Sequence, residues 1–155
     1  MNISRHFNPD HYLQTPKGRI YTEERNAAAW HQLYLDLEYA LSELDDDGVL
    51  YIVCGIPGAG KSTWIKGNIS DLGDHVLFLD AALPKTEHRA RALELAKVYG
   101  VKAIGIMIST PLDIAISRNL LRSQDEQVPE AAIRAVNSMF EKPTFAEGFD
   151  EIVII

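Results

Sequence analysis

Residues 51–63, YIVCGIPGAGKST, decide how the rest of the chain is read. A run of apolar and β-branched residues breaks at Gly55 into a loop with glycines at 55, 58 and 60, and the loop ends on Lys61-Ser62. Gly55-Ile56-Pro57-Gly58-Ala59-Gly60-Lys61-Ser62 matches G-x4-G-K-[ST], between a strand pattern and a helix pattern, where a phosphate-binding loop has to sit. The glycines let the backbone turn its N–H groups inward, and the helix dipole adds partial positive charge at the same point. Residues Gly55 through Thr63 are therefore expected to cradle a nucleotide's phosphates, with Lys61 along the β- and γ-phosphates and Ser62 on Mg²⁺. The competing reading is a glycine-rich strand-to-helix turn that binds nothing. Cys54, just before the loop, reads as a small core residue rather than a reactive thiol.

Outward from the loop, buried-strand patterns fall at 49–54, 76–80, 102–108 and 149–155. Helical patterns lie between them, at about 62–69, at 86–99 with Gly100 as the C-cap, after Thr110-Pro111, and from Pro129 through Phe140. Such alternation predicts an α/β fold in three layers, with a mostly parallel sheet. Before the first strand, Thr22 precedes Glu23 and Glu24, a helix start, and Trp30, Leu33, Leu37, Leu41 and Leu44 recur at helical spacing. We thus expect an N-terminal extension over 1–48, with one amphipathic helix packed on the core, followed by the motif-bearing domain over 49–155. The helix stripe could instead meet a protein partner. The first 20 residues, with Pro9, Pro16 and Gly18, read as irregular and carry no role.

Composition narrows the classes. The chain of 155 residues is 46% hydrophobic and carries a net charge of −7, so a long polyanion would need a local basic site. No apolar run approaches the roughly 20 residues of a membrane span, no secretory h-region opens the chain, and a single cysteine forms no internal disulfide. A cytoplasmic protein without a membrane partner is the expectation. His6, His11, His31, His75 and His88 show no metal-ligand spacing with one another or with Cys54.

The chemistry beyond phosphate binding rests on fewer residues. No N/T-K-x-D for reading guanine follows any lysine, and VLFLD (76–80) ends in the single Asp80 rather than the paired acids of a motor ATPase. Asp80, at the C-terminal end of a strand beside the loop, suits a general base, a carboxylate acting on Mg²⁺ through water, or a turn cap. In SRNLLRS (117–123), Arg118 and Arg122 stand four apart. They fit a lid that brings guanidinium to transferred phosphate, or an exposed helix end where Arg122 pairs with Glu126.

The stretch RNLLRSQDEQVPEAAIRAVNSMFEKP (118–143), with the phosphate loop, VLFLDAALPKTEHRARALELAKVYG (76–100) and EGFDEI (147–152), resembles the P-loop polynucleotide 5′-hydroxyl kinases over about residues 49–155. That resemblance implies a P-loop NTPase fold and an ATP- and Mg²⁺-dependent transfer of the γ-phosphoryl group to a hydroxyl, most plausibly a polynucleotide 5′-OH. It makes Lys61, Asp80, Arg122 and Arg118 the catalytic set, with Arg122 at the phosphates, Arg118 supporting lid or nucleotide, and Ser62 and Asp80 at the metal. The chain departs from the family after Asp80, where an acceptor-holding arginine is expected within a few residues. Arg89 and Arg91 are the nearest, and both read as solvated helix residues. A small-metabolite or nucleoside kinase, or an ATP-binding interaction module with degenerate catalysis, stays open beside the polynucleotide reading.

Overall fold

The computed structural model describes residues 5–155. Its centre is β4 (Val49–Cys54), the strand that feeds the glycine-rich loop. β5 (Val76–Asp80) pairs with it on one side and β6 (Lys102–Met107) on the other; β7 (Glu151–Ile154) lies beyond β6, and β1 (His6–Phe7) beyond β5. Every pairing in this five-stranded sheet is parallel. Parallel neighbours need crossovers, which α2 (Lys61–Leu72), α3 (Thr86–Val98), α4 (Leu112–Leu120) and α5 (Glu130–Met139) provide.

Side chains alternate across a strand, so each face of β4 feeds a different core. Leu50, Ile52 and Cys54 pack under α1 (Glu23–Ser42) and α3, with Leu33, Leu37, Leu41, Ala92 and Ala96. Val53 faces the other way, toward Ile65 of α2, Ala115 of α4 and Ile133 of α5. The chain is thus an α/β fold of three layers. Thr22 starts α1 by accepting the Arg25 N–H at 3.0 Å, and the leucine stripe of that helix is spent on the sheet rather than offered to a partner. Among the described residues no helix is long and apolar enough to cross a membrane.

Three expectations are corrected. Within the first 20 residues the described segment is ordered: β1 adds an edge strand to the main sheet, Asn8 caps a short 3-10 turn over Pro9–Leu13, and β2 (Gln14–Thr15) pairs with β3 (Gly18–Arg19) as a hairpin. Two-residue strands carry no periodicity, which is why the pattern was silent there. Arg118 and Arg122 do not share a helix, because α4 ends at Leu120 and the chain turns through Ser123 into a 3-10 turn. The last strand starts at Glu151, since Phe149 leaves the ladder to pack over Gly105, where a β-carbon would stand 3.1 Å from its ring.

Candidate functional site

The loop after β4 and the end of β5 emerge side by side, because Val53 pairs with Asp80. Gly58 makes the tight part of the turn: its φ is +84°, and a β-carbon there would meet the Ala115 carbonyl oxygen at 2.3 Å. Only glycine fits both demands. Gly60, at φ +102°, leads directly into α2, whose first N–H groups therefore face the loop mouth. Ile56 and Ala59 are buried in the core and anchor the loop rather than line its mouth. The first glycine ties the loop to the next strand's exit, its N–H donating to the Ala82 carbonyl at 3.2 Å.

Lys61 donates from Nζ to the carbonyls of Gly55 and Ile56, at 3.0 and 3.1 Å. Burial pulls its pKa down, and Arg122 adds to this; the Asp80 and Asp10 carboxylates oppose it. Those four charges consequently share one electrostatic neighbourhood. Asp80 is almost inaccessible, and its Oδ2 accepts from Ser62 Oγ at 2.6 Å and from Asn8 Nδ2 at 3.2 Å, with His6 Nε2 at 2.7 Å. Burial alone would raise the Asp80 pKa, but the His6 and Ser62 hydrogen bonds and the Lys61 charge overcome it and hold it below the usual carboxylate value. The side-chain partners of Asp80 thus come from the start of α2 and from the N-terminal segment.

These groups open onto a cleft of about 540 Å³. Pro57, Gly60, Lys61, Ser62 and Thr63 form one wall, with Asp80 at its floor and Arg122 at its rim. Arg118 stands behind it: Nη1 donates to the Ala59 carbonyl at 3.2 Å and bolsters the loop from outside. Glu126 pairs with Arg19 at 3.7 Å, not with Arg122. The Arg19 N–H also donates to Asp125 Oδ2 at 2.8 Å, so the β2–β3 hairpin is fastened to the segment that carries Arg122.

The opposite wall was not anticipated. It consists of Asn8, Asp10, His11, Gln14 and Arg19, with Trp30 from α1. His6 and Asp80 are 74 residues apart, and nothing in the local pattern around His6 marks it as a partner of a strand-end carboxylate. Arg89 is the reverse case. Expected in solvent, it is wholly buried, with Nε on Glu147 Oε1 at 2.8 Å, Nη2 on Oε2 at 3.1 Å, and Nη1 on the carbonyls of Leu83 and Glu141. Arg91 stacks over the Tyr34 ring at 4.4 Å. Neither arginine reaches the cleft. His75 does approach Asp45 and Asp47, but all three are exposed.

No protein-family profile matches the chain. Among solved structures it is similar to a chain of the AvrRxo1-ORF1:AvrRxo1-ORF2 complex, crystallised with sulphate ions, at 16% identity and a TM-score of 0.48. The match takes in 81% of this chain and 58% of the other, less than two thirds of that protein's chain. At that identity the likeness says nothing of activity.

Proposed function

We propose that the protein is a P-loop phosphotransferase that moves the γ-phosphoryl group of ATP to a hydroxyl. The observation that carries this is the 2.6 Å bond between Ser62 Oγ and Asp80 Oδ2 at the mouth of the glycine-rich loop, with Lys61 and Arg122 on the same cleft. A turn that bound nothing would have no reason to bring a buried carboxylate, an ammonium and a guanidinium together there. Hydroxyl and carboxylate oxygens are hard donors, and the pair fits Mg²⁺. When bound, that ion neutralises charge on the β- and γ-phosphate oxygens.

The protein's own part is positioning and charge. Backbone N–H groups at the start of α2 hold phosphate oxygens, and Lys61 swings from the Gly55 and Ile56 carbonyls to the β- and γ-phosphates. Arg122 brings guanidinium to the charge that grows on the transferred group. With its Oδ2 engaged by Ser62, Asp80 serves the metal side of the site, which favours the metal reading over the base. Leu83, at φ +45°, keeps the exit of β5 in an uncommon backbone conformation that Arg89 pins through the Leu83 carbonyl.

Titration calorimetry with ATP, with and without Mg²⁺, tests the binding, and γ-labelled ATP offered with hydroxyl acceptors tests the transfer. Wild-type protein should bind ATP more tightly with Mg²⁺ present, and Lys61→Ala should lose most of that affinity. ATP binding without any acceptor-dependent turnover would turn the reading toward a nucleotide-binding interaction module. Absence of ATP binding would end both.

A further inference from the structure

We infer that the segment from His6 to Arg19 is the acceptor half of the cleft, and that it takes a small, neutral, polyhydroxylated molecule, a nucleoside or free sugar, rather than a polynucleotide end. This rests on the phosphoryl-transfer reading above. The cleft has two walls, and the phosphate loop occupies one of them. The other presents an amide pair in Asn8 and Gln14, a carboxylate in Asp10, the His11 imidazole and the Trp30 indole. Burial, and then the neighbouring His6, lower the His11 pKa, which favours the neutral ring with its one donor and one acceptor. Such a set matches hydroxyls that both donate and accept, and an indole gives a ring an apolar platform.

A polynucleotide end asks for something else. Beyond its first sugar it carries phosphates, which bind through unengaged lysines and arginines. The arginine on this wall is Arg19, whose Nη1 and Nη2 already serve Asp10 at 3.3 Å and Glu126 at 3.7 Å, while its Nε has no partner and is buried out of reach of a phosphate in this arrangement. Lys66 also lines the cleft, and it belongs to α2, the helix that follows the phosphate loop, rather than to this segment. His6 is engaged by Asp80 at 2.7 Å, the other side chains of the segment on the cleft are neutral or acidic, and the chain's net charge of −7 repels a polyanion further.

Asp10 is the carboxylate that this segment adds to the cleft lining, and it pairs with Arg19 through Oδ2 at 3.3 Å. Asp80, nearly inaccessible and bonded to Ser62, serves the metal side in the reading above, and Asp10, partly exposed on the cleft, is left to hold the acceptor hydroxyl through the oxygen that Arg19 does not take. As the acceptor oxygen bonds to the γ-phosphorus, its proton passes to Asp10. The bond from that phosphorus to the bridging oxygen breaks, and its electron pair leaves on ADP.

The test uses the full-length protein, Mg²⁺ and γ-labelled ATP, offered adenosine, uridine, glucose, N-acetylglucosamine and 5′-OH DNA and RNA oligomers, with ATP affinity measured separately by calorimetry. Label should enter a neutral acceptor and no oligomer. Asp10→Asn should lower kcat on that acceptor about 100-fold, the scale of lost general-base catalysis, without loss of ATP affinity. Gln14→Ala, at an exposed position of the β2–β3 hairpin, should raise the acceptor KM several-fold, about the worth of one hydrogen bond, with a thermal melt alongside to show that the variant is folded. Label on oligomer 5′ ends overturns the proposal and leaves phosphoryl transfer standing. Transfer undiminished in Asp10→Asn does the same, whereas a protein that binds ATP yet labels no acceptor at all overturns the proposal and the transfer reading together and leaves only nucleotide binding. A protein that binds no ATP removes this proposal together with the reading beneath it.

Discussion

Asp80 and Arg89 are the two charged side chains wholly buried among the described residues, and the fold satisfies them in opposite ways. Arg89 is neutralised by a carboxylate that takes two of its nitrogens, and two backbone carbonyls take a third. Its partners come from three separate segments, so the guanidinium acts as a knot between the exit of β5, the turn after α5 and the turn before β7. Asp80 is held through one oxygen by a hydroxyl, an amide and an imidazole, and it fronts a cleft. A buried charge closed off on all sides stabilises a fold, whereas a buried charge opening onto a cleft is available for chemistry. Substitutions that remove each charge while keeping its shape should therefore separate the two roles.

The largest effect is expected from Asp80→Asn. An amide cannot replace the charge that acts on Lys61 and that the proposed Mg²⁺ would need, so phosphoryl transfer should fall about 10²–10³-fold, the scale of losing one electrostatic contact to a developing charge. The melting temperature should fall less than in Arg89→Met, because the side chain keeps its size and only the stability that the charged carboxylate supplies above its pKa is lost. Single-turnover assays beside a thermal melt read both numbers. Transfer within a few-fold of wild type would put Asp80 in the same class as Arg89.

Arg89→Met should do the converse. Removing one partner of a buried pair strands Glu147 without its counter-charge, which costs about 3–5 kcal/mol. Urea unfolding should show that loss, while the ATP affinity of the molecules still folded stays near wild type. A variant as stable as wild type would mean that Glu147 finds water on losing its partner, and the knot would not be one.

Acid gives a smaller and shared effect. Burial raises the Glu147 pKa, but the bonds from Arg89 and the Thr144 N–H outweigh it, so Glu147, like Asp80, ends below its ordinary value. A carboxylate whose folded pKa is depressed contributes stability that is fully present above its unfolded pKa and is lost as pH falls through the folded one. Stability should thus decline as pH drops below the ordinary carboxylate range. The decline should be shallower in Asp80→Asn, which no longer has that proton to take up; unfolding curves from pH 6 downward, with wild type alongside, measure the difference.

The same contrast explains what was legible in the sequence. The loop at 55–62 announces itself, since its glycines, its lysine and its serine are contiguous and each has a local backbone reason to be there. The strands at 49–54, 76–80 and 102–107 are nearly as plain, because a strand buried on both faces is continuous apolar text. His6, Asn8 and Asp10 were opaque. His6 and Asn8 act across 70 residues or more of intervening chain, and Asp10 pairs with Arg19 of the hairpin; all sit on elements too short to be periodic, and the long-range partners are chosen by the sheet's strand order, which no local pattern encodes. Arg89 misled for a related reason: TEHRARALELA puts charges at 87, 89, 91 and 94, and only the position of Glu147 in space says which of them goes inward.

Geometry alone does not make an ion pair matter, and Arg134 sharpens that point. Its Nε meets Glu130 Oε2 at 3.1 Å, close to the 2.8 Å of Arg89 with Glu147, yet both side chains of the first pair are 57% exposed and those of the second 0% and 9%. In water the Coulomb gain is screened, and two long side chains lose rotamer freedom to hold the contact, so such a pair one helical turn apart is worth about 0.5 kcal/mol or less. Arg134→Ala should accordingly leave the urea midpoint almost unmoved, and the little it moves should vanish in high salt. A loss approaching that of Arg89→Met would show that the distance between the charges, and not their removal from water, sets the cost, and the contrast between the buried knot and the open cleft would lose its basis.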